Sequence, residues 1–103
     1  MLARVWRGWT RRDDSNAYEA FLGTLFTALA ERVPGFQGGY VLRREHRGED
    51  EFVVFTLFQS LDAVRAFAGE EYEVPVIEPE AARLLTRGDD RASHYEVVHR
   101  FEG

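Results

Sequence analysis

The 103-residue sequence contains no cysteine. Disulfides, thiolate nucleophiles and cysteine-ligated metals are thereby excluded, and the composition fits a cytoplasmic setting. Lysine is absent too, since all 13 basic residues are arginine. Without a side-chain amine there is no Schiff-base chemistry, so covalently held pyridoxal phosphate is not expected. A basic field is also missing, because the 13 arginines are scattered among 18 acids and the net charge is -5. Nucleic acid is therefore not an expected partner. The longest apolar run, FVVFTLF at 52–58, is far too short to cross a bilayer, and the opening MLARVWRGW lacks the apolar core of a signal peptide. No membrane partner is expected.

Several catalytic signatures are missing as well. GFQGG at 35–39 follows a helical pattern and opens a strand pattern, the reverse of a phosphate-binding loop, so nucleotide cofactors are not indicated. Ser15, Ser60 and Ser93 lack a G-x-S-x-G context. Of the three histidines, His46 falls in a turn, while His94 and His99 lie five apart on one expected strand and so point to opposite faces. They cannot form a compact metal site on one face, and neither a metal nor any other cofactor is expected.

What is present is apolar and periodic. Hydrophobic residues make up 45% of the chain and aromatic residues 14%, enough for one domain with a single core. Residues 2–10 read as a strand, followed by the charged turn RRDD. Tyr18, Phe21, Leu22, Leu25, Phe26, Leu29 and Val33 then trace the stripe of an amphipathic helix. Asn16 and Glu19 are spaced as a capping box, and Pro34-Gly35 marks the stop. Strands at 36–44 and 51–59 flank a polar turn around Gly48 and imply a hairpin, with Gly38-Gly39 marking a bulge or a close backbone approach. Ser60 is placed to cap a second helix that ends at Gly69. Pro79 opens a short helix over 79–87, stopped by Gly88, and SHYEVVHRF at 93–101 reads as the last strand. The order β-α-β-β-α-β with a short extra helix is an α+β, ferredoxin-like arrangement.

The strand at 51–59 presents Phe52, Val54, Thr56 and Phe58 on one face and Val53, Phe55 and Leu57 on the other. Two helices cover only one face of a four-stranded antiparallel sheet. A second copy packed across a two-fold axis is the expected cover for the other, giving a homodimer.

RVWRGWT, PGFQGGYVLRR, EFVVFTLFQSLDAVRAFAGEEYE and SHYEVV together resemble the antibiotic biosynthesis monooxygenase-like group of the dimeric α+β barrel superfamily, over nearly the whole chain. The resemblance implies a substrate cleft between helices and sheet. It further implies cofactor-independent oxygenation of aromatic compounds or, in another branch, haem degradation. That second branch carries an asparagine on the first strand, a tryptophan on the second helix and a histidine ten residues later. Here Phe67 and Ile77 stand at the last two positions and the only asparagine is Asn16, so haem degradation is not expected.

Under the oxygenase reading the protein binds a phenol or quinol, helps remove its proton and shields the anion while dioxygen reacts. His94 is the candidate base, with Tyr72 and Tyr40 as hydrogen-bonding partners of the substrate oxygen. Trp6, Arg7, Phe58 and Phe67 are the candidate pocket wall. Arg4 and Arg7 have opposite parity on the first strand, so one faces an interior layer, where Glu96 or another strand carboxylate is the expected partner. FAGEEYEVPVI at 67–77 reads as a helix end followed by a solvated acidic edge, with Tyr72 its one functional candidate. A non-catalytic dimeric small-molecule-binding or scaffold protein is the alternative reading.

Overall fold

The computed structural model describes all of residues 1–103. Its strands are β1 (Leu2–Arg11), β2 (Phe36–His46), β3 (Glu49–Phe58), β4 (Leu85–Gly88) and β5 (Ser93–Glu96), and its helices are α1 (Ser15–Arg32), α2 (Leu61–Ala68) and α3 (Pro79–Leu84). A single 3₁₀ turn at Arg12–Asp14 leads into α1. The sheet is antiparallel in the order β2-β3-β1, and β4 and β5 share the remaining edge of β1. This is the α+β, ferredoxin-like arrangement expected from the pattern.

Local chemistry explains most boundaries. Ser60 Oγ accepts from the Ala63 amide at 3.2 Å, and α2 stops at Gly69 with φ of 86°. The β2–β3 hairpin turns on Arg47 and Gly48, both at positive φ (54° and 82°), the signature of a two-residue primed turn. The Gly38-Gly39 step is a register break, and Gly39 is a true close approach. A Cβ there would lie 2.1 Å from the Phe55 carbonyl oxygen.

Three expectations need correction. No capping box forms, because α1 begins at Ser15 behind an Asp14 cap with no side-chain bond. Asn16 Oδ1 instead accepts from Arg43 at 3.0 Å, a tie to β2 that outcompetes local capping. The short helix ends at Leu84 rather than residue 87, because Leu85 pairs with Thr10 and Gly88 with Gly8 as β4. Gly88 thus serves a strand: the Trp6 ring lies across it, and a Cβ would meet that ring at 2.3 Å. The last strand stops at Glu96, because β1 runs out where Leu2 pairs with Glu96. His99 is therefore off the sheet, stacked on Phe101 at 5.7 Å.

Alternation along the strands then sorts the side chains. Arg4, Trp6, Thr10, Phe52, Thr56 and Phe58 are buried beneath the helices. One core cluster joins Tyr18, Leu22, Phe52 and Ala81, and another joins Phe58, Ala63 and Val64. On the far face one half is polar, with Arg44–Glu51 at 2.9 Å and Arg87–Glu49 at 3.3 Å around Trp9. The other half holds Val5, Val53, Phe55 and Leu57, with Tyr40 63%, Leu42 51% and Tyr95 59% exposed.

Candidate active site

A cleft opens between α1, the sheet and the segment 69–78, which crosses from α2 to α3 without regular structure. Its walls are Trp6, Tyr18, Phe21, Leu22, Leu25 and Phe67, closed by Pro75, Val76 and Ile77. Arg4 is the one charged residue among its 15 lining residues. The empty space totals about 560 Å³ including the open mouth. Most of that space lies at the mouth, and the part beneath segment 69–78 holds a few waters or one small ring edge. A larger planar molecule requires segment 69–78 to move.

Each wall has a local cause. Trp6 is held by its Nε1–H, which donates to the Asp89 carbonyl at 2.8 Å, and by the missing side chains at Gly8 and Gly88. Tyr18 sits edge-on to Phe52 at 4.9 Å, and burial pushes its phenol up to about 12. Phe67 stacks on Phe58 at 5.9 Å and presents its ring 5.5 Å from the Arg4 guanidinium carbon.

Arg4 is the inward arginine, 5% exposed, and it finds no carboxylate. The expected pairing with Glu96 or another strand acid does not occur. Its Nη1 donates to the Tyr72 carbonyl and lies 3.0 Å from His94 Nε2, and Nη2 reaches the Val74 carbonyl at 3.5 Å. Burial pulls its guanidinium down to about 10. Tyr72 and Val74 belong to segment 69–78, so Arg4 also ties the roof of the cleft to the sheet. The Ala92 amide donates to the Glu73 carbonyl at 2.7 Å, a second tie.

The expected site residues divide. Trp6 and Phe67 line the cleft. His94 and Tyr72 meet edge-to-face at 5.2 Å on the other side of Arg4, where they border a wide, open depression with Leu2, Glu73 and Arg91. Arg7, Tyr40 and Phe58 border neither the cleft nor the depression. Arg7 has the opposite parity and pairs with Asp89 at 3.0 Å. Tyr40 lies on the far face against Phe55. Phe58 is fully buried in the core, behind Phe67. The expectation missed Tyr18, whose helical spacing looks like that of any core residue, and Thr56, whose hydroxyl donates to the Arg4 carbonyl at 3.3 Å.

No family model matches the chain, and no curated protein is similar to it. Solved structures of this fold are numerous. A candidate antibiotic biosynthesis monooxygenase from Bacillus cereus superposes with a TM-score of 0.64 at 18% identity, covering 99% of this chain and 97% of the other. The haem degrader MhuD from Mycobacterium tuberculosis, with two haems in its active site, gives 0.68 at 21% identity over 99% of this chain and 100% of its own. A candidate antibiotic biosynthesis monooxygenase from Nitrosomonas europaea gives 0.66 at 12% identity, covering 95% and 90%. The fold is that of the antibiotic biosynthesis monooxygenase-like proteins. At these identities the likeness establishes the fold alone.

Burial first, and the Arg4 charge second, hold His94 below its usual 6.5, against a smaller upward pull from Glu73. Because the folded value is depressed, the neutral ring contributes stability above pH 6.5, and that contribution is lost as pH falls towards the folded value. An NMR titration of the His94 ring is expected to give a midpoint below 6.5, moving upward in Arg4→Met. A wild-type midpoint at or above 6.5 contradicts this electrostatic picture.

Proposed function

We propose that the protein is a cofactor-independent monooxygenase of a small phenol- or quinol-type aromatic. The observation that supports it is the cleft itself: in a fold shared with proteins named as monooxygenases, aromatic rings line a narrow apolar space with one buried cation in its wall. Trp6, Tyr18 and Phe67 offer flat surface to a ring. Loss of the substrate's acidic proton creates an anion, which the Arg4 charge stabilises in a site of low dielectric. His94, kept neutral by burial and by Arg4 and packed edge-on against Tyr72, lies across Arg4 from the cleft and becomes the proton acceptor once movement of segment 69–78 opens the cleft to it. Dioxygen then gives one atom to the ring carbon and one to water, the substrate supplying the electrons. Haem chemistry stays open on the fold, since MhuD shares it. In this chain, however, Phe67 and Ile77 line the cleft and offer no axial ligand.

The protein is further proposed to work as a homodimer through the far face of the sheet. Tyr40, Leu42 and Tyr95 form an exposed apolar patch with the half-buried Val53, Phe55 and Leu57. Trp9 Nε1 is buried on the same face with no partner. A two-fold copy covers the patch.

Two outcomes follow. With reduced naphthoquinone as probe, the protein is expected to consume oxygen at least about tenfold faster than autoxidation, and His94→Ala to lose about 100-fold or more of that excess. An unchanged His94→Ala rate removes the base assignment, and no excess over autoxidation removes the oxygenase reading. Sedimentation at micromolar concentration is expected to show a dimer that Phe55→Glu converts to monomer. A wild-type monomer refutes the sheet-face interface.

A further inference from the structure

We infer that Arg4 anchors a carboxylate on the aromatic ligand, so that the cleft selects aromatic acids over neutral rings. The inference rests on the aromatic-ligand reading above and deepens it. Of the 13 arginines, nine pair with an acid. Arg32, Arg47 and Arg83 do not pair, and they are exposed, where water compensates them. Arg4 alone is buried without an acid. A guanidinium removed from water is costly unless an anion meets it.

Donor accounting places the anion. A guanidinium has five N–H donors. Nη1 is occupied by the Tyr72 carbonyl and His94, whereas Nη2 has one long contact of 3.5 Å and Nε has none. The Nε–Nη2 edge is thus nearly unused, and its parallel N–H pair is the geometry that receives both oxygens of a carboxylate. The Phe67 ring beside the guanidinium supplies a platform for the attached ring, and every other lining residue is uncharged. A single cation in so small a space suits a singly charged group, which favours carboxylate over phosphate.

Calorimetric titration of the full chain with salicylate and with its neutral isostere salicylamide tests this. Salicylate is expected to bind at least about tenfold more tightly. Arg4→Gln is expected to erase the difference, and Arg4→Lys to keep a fraction of it. Equal affinities in the wild type, no salicylate binding at millimolar concentration, or a preference that survives Arg4→Gln overturns the assignment. The readout does not depend on turnover. Salicylate binding through Arg4 with no oxygen consumption keeps the anion site and defeats the oxygenase reading. Oxygen consumption on a neutral quinol with no carboxylate preference does the reverse.

Discussion

The fold hangs on the alternation of β1. This strand is paired on both edges, by β3 along its whole length and by β4 and β5 in turn, so its side chains have no lateral freedom. Period two then decides the molecule. Arg4, Trp6 and Thr10 go beneath the helices, while Arg7 and Trp9 go to the far face. A one-residue slip would exchange the two sets, burying Arg7 and exposing Trp6. The glycine pair Gly8 and Gly88 fixes the register further, because only a bare backbone leaves room for the Trp6 ring.

From that constraint the cleft follows. Trp6 forms one wall, and Arg4 reaches past it to hold two carbonyls of segment 69–78, the roof over α1 and the sheet. The roof is lightly held elsewhere, with Val74, Val76 and Ile77 each more than 40% exposed. One side chain thus combines a buried charge, a tie to the roof and the only cation available to a ligand. A charge kept inside an apolar wall without a counter-ion is the kind of local inconsistency that functional sites retain.

Much of the fold was legible because its signals are periodic. The α1 stripe, the hairpin around Gly48 and the Ser60 cap each arise from local chemistry that one chain reveals. Residues 85–88 were misread because Leu84-Leu85 continue a helical pattern, and only the partner strand β1 makes them extended. The capping box failed for a similar reason, since Arg43, 27 residues away, takes the Asn16 oxygen. The site was half legible. Parity showed that Arg4 or Arg7 must be inward, but not which, and the absence of a carboxylate beside Arg4 is a three-dimensional fact with no sequence signature. Tyr40 and Phe58 were aromatic residues of the right type on the wrong layer.

If the Arg4 charge serves a ligand and not the fold, its removal leaves the unliganded protein stable. Replacing even a buried ion pair by apolar side chains of similar volume is often neutral or stabilising by about 1–4 kcal/mol, and Arg4 has no partner charge to offset its desolvation. The most direct measurement is urea unfolding of Arg4→Met beside the wild type without ligand. The expected result is a variant within about 1 kcal/mol of the wild type or more stable than it. A loss of about 3 kcal/mol or more would make Arg4 a structural latch of the roof and contradict it.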